Sequence, residues 1–446
     1  MTPIERRTVA TLAVIYALRM FGLFMVLPVL AVFAHQYEAA TATLIGIAIG
    51  AYGLTQALLQ LPFGIWSDRI GRKPVILIGL AIFTLGSAVC AMADSIWWLI
   101  LGRALQGAGA IASTLMALMT DLTQEENRTK AMASIGASIG LSFTLAMVVG
   151  PAAASVLGLQ GLFALTAVLS VMAMGILVWR VPTPKKQVVS RDSRAFFSQL
   201  GDVIADGQLV RLSFGIFSLH AILVACFVAV PLLLMEGGLL QPEHWKVYLP
   251  VMVLAFAFMI PFIIIGEKQQ KMKQVLASAV LLLAVSLVWM ALAGASFWWL
   301  VAGLWVFFVA FNILEASLPS LVSKFAPAGY KGSAMGLYST SQFFGAFVGG
   351  VLGGYLSDAF TLSAVFWGMV PLVMVWAALV LTMAKPKHLT GYMMTIGDTQ
   401  DSDQLERELL AVSGVHEVVI ILEEKAVYLK VDNQAFDPAS LNLYKK

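Results

Sequence analysis

Eight ionisable side chains command notice in a 446-residue chain that is 12% charged and 60% hydrophobic. Four are packed into "GIWSDRIGRK", residues 64–73: Asp68, Arg69, Arg72 and Lys73. The other four lie singly in apolar runs: Arg19 in "YALRMFGLF", Arg103 in "RALQGAGA", His220 in "SLHAILVACF" and Glu315 in "AFNILEASLP". An isolated charge at the centre of a membrane helix costs roughly 2.5–3.5 kcal/mol, so each needs a partner or a task. Glu315 and His220 are groups that can carry a proton. Arg19, too deep in its run to snorkel easily, is a fixed charge able to hold an anion or act on a neighbouring acid. The plainer alternatives are a histidine satisfied as a lone hydrogen-bond donor, an arginine tied to helix carbonyls, and a hydrated gate role for Glu315, which lies toward the cytoplasmic end of its span. Asn312, one turn from Glu315, offers a polar contact to that residue or to a ligand.

The elements holding these groups are membrane helices. Mean hydropathy is +0.87, and apolar stretches of about 20 residues, each able to cross a hydrocarbon core, follow one another from Val9 to Ala384. Twelve spans are expected, beginning near Val9, Thr43, Val75, Ile96, Ala131, Leu162, Leu209, Val247, Val275, Phe297, Gly332 and Leu362. Arg6 and Arg7 precede a first stretch too long for a signal h-region, so that helix is expected to be retained. Cys90 and Cys226 sit alone in apolar segments and suggest neither a disulfide nor a metal site.

Charge sorts the connections. One set carries Arg6, Arg7, Arg69, Arg72, Lys73, Arg128, Lys130, Lys185, Lys186, Lys268, Lys271, Lys273, Lys324, Lys331, Lys385 and Lys387. The other holds Glu38, Asp94, Glu236, Glu243 and Asp358, with Lys246 as its clear basic residue. Positive charge is retained on the cytoplasmic side, so both termini and the 64–73 loop are expected there. The polar, basic stretch 180–202 divides the spans six and six, giving expected bundles at 1–180 and 208–387 joined by a linker at 181–207. The halves echo each other: "PFGIWSDRIGRKPV" (62–75) returns as "PFIIIGEKQQKMKQV" (261–275), and "RTKAMA" (128–133) as "KGSAMG" (331–336).

Residues 64–73 fit G-x-x-x-D-R-x-G-R-[RK], the signature loop of the major facilitator superfamily, at every specified position. "RALQGAGA" (103–110) resembles that family's fourth-helix motif, and "GPAAA" (150–154), with Gly150 and Pro151, resembles the fifth-helix motif of its drug/proton antiporters. Ala154 departs from that last motif, whose final position is normally glycine. The resemblance implies an all-α polytopic protein of twelve transmembrane helices in two six-helix bundles. It also implies a conformational latch made of Gly64, Asp68, Arg69, Gly71, Arg72, Lys73 and Asp121. Asp68 would sit against the N-terminus of the eleventh helix near Gly332 and Ser333, and Arg72 would pair with Asp121, holding the cytoplasmic side closed. Arg103 occupies a family position linked to proton coupling, although a helix-packing bond would serve it equally. The glycines of "FFGAFVGGVLGG" (343–354) and "GASIGLSFTLAMVVGP" (136–151) read as close helix packing rather than binding.

After Lys387 the chain turns acidic, with ten acids against five bases from His388 to Lys446. The order strand, helix, strand, strand in "GYMMTI", "DSDQLERELLAVSG", "VHEVVIIL" and "AVYLKVD" resembles a small ferredoxin-like domain over 388–446. No Cys-x-x-Cys follows its first strand, which disfavours soft-metal transport. Such an acidic module is expected to be drawn to the basic cytoplasmic face, screened over about 8 Å at physiological salt.

Neither a phosphate-cradling G-x-x-x-x-G-K-[ST] nor a catalytic constellation appears, so nucleotide drive and enzyme activity are not expected. The expected function is proton-coupled antiport, exporting small amphipathic compounds across a bacterial inner membrane by alternating access. Two other readings stand beside it: an importer or facilitator of a metabolite anion held by Arg19, and a transporter-like sensor signalling through its tail. The expected partners are the lipid bilayer, a small molecule and protons, with no nucleic acid, cofactor or metal. The chain is expected to be a monomer whose tail touches the cytoplasmic face or another subunit.

Overall fold

A computed structural model describes residues 1–183, 200–327, 330–385, 390–395, 402–421, 426–432 and 435–441. Most of the 181–207 linker, the "IGDTQDSD" loop and the "EEK" turn expected between the last two strands fall largely or wholly outside these residues.

The apolar runs fold as helices: α1 (Pro3–Phe33), α2 (Ala42–Ile70), α3 (Arg72–Ala91), α4 (Ile96–Ala108), α5 (Ala112–Asp121) and α6 (Glu125–Arg180). They continue as α7 (Gly207–Glu236), α8 (Trp245–Lys268), α9 (Met272–Ala293), α10 (Phe297–Phe325), α11 (Lys331–Ala359) and α12 (Leu362–Leu381). Local chemistry sets many of the ends. Thr2 and Glu5 form a reciprocal capping box at α1, and Asp206 accepts the amides of Gln208 and Leu209 at α7. Gly71, at φ +106°, makes the tight corner between α2 and α3.

Ten helices among the described residues are long and apolar enough to cross a membrane. One of them runs over 51 residues, Lys130–Arg180, and turns back at Gly158, whose φ of 68° and ψ of 179° are essentially closed to other residues. Gly158→Ala should therefore lower stability by about 1–3 kcal/mol through backbone strain, since a Cβ there meets nothing within 4 Å. A drop in the thermal midpoint of detergent-solubilised protein checks this, and an unchanged midpoint rules it out. The glycine-rich α11, 29 residues long, is not among the ten.

Packing gathers the helices into two sets. In the first, α1 lies on α6 and α3 on both α4 and α6; in the second, α9 lies on α10 and α12, and α7 on α11 and α12. Their cores centre on Leu12, Ile15, Phe83 and Leu115 in one and on Phe227, Phe307, Phe366 and Trp376 in the other, the second cluster also taking in Phe143 and Met147 of α6. The strongest echo between the sets lies at the starts of α4 and α10. "SIWWLILG" (95–102) matches "SFWWLVAG" (296–303), with Leu99 and Leu300 buried and all four tryptophans exposed, as in a membrane-interface belt.

The tail forms β1 (Thr390–Thr395), α13 (Ser402–Leu410), β2 (Val415–Ile421) and β3 (Ala426–Val431). The sheet order is β1-β3-β2, with β3 antiparallel to both neighbours. That is the split βαβ arrangement expected for a ferredoxin-like module. Leu405 and Leu409 of α13 join Val418, Val427 and Leu429 in its core.

Candidate functional site

α7, α10 and α11 bring together two residues that the sequence offers separately. Glu315 Oε2 lies 3.9 Å from His220 Nε2. Between them stands Gln342 of α11, whose Nε2 is 2.8 Å from His220 Nε2 and 3.5 Å from Glu315 Oε1. Asn312 Nδ2, Tyr338 Oη and Glu315 Oε2 are buried with no hydrogen-bond partner among the described residues. Asn312 does not reach Glu315, contrary to one use expected for it. Buried polar groups are nearly always satisfied, so this concentration of free donors and acceptors is what a site for a polar guest would show. Aromatic rings cover one side. Phe311 lies 6.0 Å from the His220 ring and stacks on Phe143 of α6 at 6.3 Å, while Phe24 of α1 meets Phe143 edge-on at 5.1 Å. The rings lie on the Glu38/Asp358 side of the cluster, hereafter the acidic end; the end bearing Arg72 and Lys324 is the basic end. Sequence reading missed Gln342. Its signal is a lone amide in "YSTSQFFGAF", which resembles an ordinary small-residue helix face.

The two arginines belong to a different environment. Arg19 is 1% exposed, and its Nη2 donates to Gly109 O at 2.8 Å, Gln56 Oε1 at 3.0 Å and Tyr52 Oη at 3.2 Å. Gly109 lies in the break between α4 and α5, where a carbonyl is released from its helical partner. Arg19 thus has the geometry of an arginine tied to a helix carbonyl, although its Nε and Nη1 have no hydrogen-bond partner among the described residues. Arg103 reaches Gln106 Oε1 at 2.8 Å and the carbonyls of Ala48 and Ile49 at 3.3 and 3.4 Å, tying α4 to α2. Its described bonds are packing bonds.

At the basic end, Arg72 forms ion pairs with Asp68 and with Asp121, the latter at 3.2 Å, and donates to Ser67 Oγ at 2.7 Å. Lys73 Nζ closes the corner on Val181 O at 2.7 Å, and Arg69 is exposed. Gly64 faces Ser113 of α5, with Oγ 3.4 Å from the position of a Cβ. The Arg72–Asp121 pair is in its expected place; Asp68 is not. Its described ion-pair partner is Arg72 rather than the start of α11, and a Cβ at Gly332 would meet nothing within 4 Å. The second set repeats the device with charges exchanged: Glu267 of α8 pairs with Lys324 of α10 at 2.9 Å and accepts from Ser320 at 3.0 Å. Lys430 of the tail donates to the Lys324 carbonyl at 3.3 Å.

The acidic end is shut. Gly46, Gly50 and Gly53 of α2 press on the backbone of α11 from Phe343 to Gly354, while Gly345, Gly349 and Gly353 on another face of α11 press on α7. Across the same end, Thr43 Oγ1 donates to Asp358 Oδ2 at 2.7 Å and Gln241 Nε2 to Pro151 O at 3.0 Å. Gly150, beside that proline, packs on Met25 O of α1, 2.5 Å from the position of a Cβ. Close packing is therefore the role of the 343–354 glycines of α11 and of Gly150, as expected. It is not the role of Gly136 and Gly140, where a Cβ would meet nothing within 4 Å. Those two lie on the part of α6 nearer the basic end.

The sequence profile of the Major Facilitator Superfamily matches residues 12–350 and 273–391. The chain belongs to that superfamily. Its tail matches the YajR YAM domain over residues 396–437. The chain is 48% identical to the inner membrane transport protein YajR of Escherichia coli K12, over 97% of this chain and 96% of that one. It is 26% identical to the multidrug resistance protein MdtH of Cronobacter sakazakii, over 76% and 83% of the two chains. The crystal structure of a D-xylose-proton symporter superposes with a TM-score of 0.69 at 16% identity, covering 84% of this chain and 98% of the other.

The chain is thus a membrane transporter of the YajR type and not an enzyme. In the 64–73 loop the described ion pairs, Arg72 with Asp68 and with Asp121, both lie within the first set of helices.

Proposed function

We propose that this transporter is a proton-coupled antiporter that exports small amphipathic compounds across a bacterial inner membrane. The Glu315–His220–Gln342 cluster carries the reading: a carboxyl, an imidazole and an amide meet beside free polar groups and an aromatic wall. The rings of Phe143, Phe308 and Phe311 suit the apolar part of a substrate, while the carboxyl takes up the proton that substrate binding releases. The multidrug name of one relative favours export. Arg19 gives the anion-import reading little support, because its described bonds turn it into the first bundle.

In this reading the 51-residue helix counts as two crossings, divided at Gly158, and α11 is a further one, giving twelve in bundles 1–180 and 208–387 joined by 181–207. The basic end is cytoplasmic by the retention of positive loops, so both termini lie inside and the shut end faces the periplasm. The state described is then open to the cytoplasm, with Asp68 waiting for α11. A fluorescent amphipathic amine or dye in proteoliposomes tests the function. One-for-one proton exchange should accumulate it against its gradient by about tenfold per pH unit. Uptake in the same direction as protons would replace antiport with symport, and binding without flux would replace transport with sensing.

A further inference from the structure

α2 and α11 cross antiparallel and carry the same ending. Residues 64–68 read Gly-Ile-Trp-Ser-Asp near the close of α2, and residues 354–358 read Gly-Tyr-Leu-Ser-Asp near the close of α11. An aspartate in the last turn of its own helix stands at the negative end of that helix's macrodipole, a disfavoured place. An antiparallel neighbour reverses this, because its positive N-terminus lies alongside. At the acidic end the reversal is seen. Asp358 Oδ2 accepts from Thr43 Oγ1 at 2.7 Å, in the first turn of α2. The first amides of that turn have no intrahelical acceptor, and the Thr41 cap takes only that of Leu44. Beneath the contact lies the glycine seam, so the carboxylate sits where two backbones meet without intervening side chains. At the basic end the matching aspartate, Asp68, is turned to Arg72.

We propose that Asp358 is a positioning residue of the transport cycle, holding the N-terminus of α2 to shut the acidic end as the reciprocal of Asp68 at the basic end. As α2 and α11 rock about their crossing, one carboxylate gains its partner helix when the other loses it. Each contact, being exposed, biases the two-state equilibrium by about two- to fivefold. The proposal rests on the two-state cycle of the proposed function, but not on its proton step, its direction or its substrate.

The test uses the full chain in lipid nanodiscs without substrate or pH gradient. Spin labels at Met92→Cys and Leu292→Cys, both exposed at the acidic end of opposite bundles, report the ratio of parted to closed distances. Asp358→Ala, Asp358→Asn and Thr43→Val should each raise that ratio about two- to fivefold, and adding Asp68→Ala to Asp358→Ala should return it toward the starting value. Asp94→Asn, which removes another exposed acid from the same end, should leave it unchanged. An unaltered ratio in the Asp358 variants, or an equal rise in the Asp94 control, overturns the proposal. Should Asp358→Ala lose its monodisperse elution, Thr43→Val decides alone, because it deletes one hydroxyl and keeps the shape.

Discussion

Glu315→Gln is expected to abolish pH-driven accumulation while leaving substrate binding within a few-fold of the parent. The substitution keeps the shape and one acceptor oxygen, which can be turned to the Gln342 amide, now 3.5 Å from Oε1, while the second oxygen becomes an NH2 donor. What disappears is the exchangeable proton. With one proton returned per substrate, the parent should hold a gradient of about tenfold for each pH unit, and the variant should equilibrate to unity. His220→Gln should behave alike if the imidazole shares the proton across its 3.9 Å approach to Glu315 Oε2. It should leave coupling nearly intact if the ring only orients Gln342, whose Nε2 lies 2.8 Å away. Dye accumulation in proteoliposomes at imposed pH differences, paired with equilibrium binding of the same dye, separates these outcomes. Undiminished pH-driven accumulation in both variants would remove the cluster as the proton carrier.

How far this site was legible in the sequence depends on the length scale of each interaction. Charge patterning of the loops and the 64–73 motif are local features, and Arg72 meets Asp121 where the motif implies. Pairing between helices distant in the chain depends on helix rotation, which apolar composition leaves open: nothing in "YSTSQFFGAF" says that Gln342 rather than Ser341 turns to His220. Arg19 reads as a functional charge because its depth is visible, whereas the freed carbonyl of Gly109 is not, since a helix break in "GAGAIAS" resembles small-residue packing. Asp68 illustrates another limit. In the proposed cycle it exchanges partners, and such a residue has no single contact for a sequence to imply; its described ion pair is with Arg72. The duplication was more legible than its first two echoes suggested, because the Ser-x-Trp-Trp-Leu segments are nearly identical and fall at the same place in each bundle.

Gly350→Val should trap the transporter with its acidic end parted and reduce turnover correspondingly. A Cβ at Gly350 would stand 2.5 Å from the Gly46 carbonyl oxygen, 2.9 Å from Gly50 N and 3.0 Å from Gly50 Cα. All three are backbone atoms of α2, so no rotamer change can relieve the clash, and the helices must separate instead. Overpacking of this kind costs about 1–3 kcal/mol, which moves a two-state equilibrium by about 5- to 150-fold. Because the seam closes only when the acidic end shuts, the penalty falls on one state and becomes a conformational bias rather than a uniform loss of stability. Gly207→Ala, where a Cβ meets nothing within 4 Å, should have no such effect. The label pair at positions 92 and 292 should show the parted distance dominating in Gly350→Val. A closed distribution like that of the parent would mean that the α2–α11 seam yields elsewhere and does not govern closure. The same steric logic fits glycines on two faces of α11: Gly350 and Gly354 meet the backbone of α2, where the proposed cycle needs approach and release, while Gly345, Gly349 and Gly353 meet α7, with which α11 would move as one bundle.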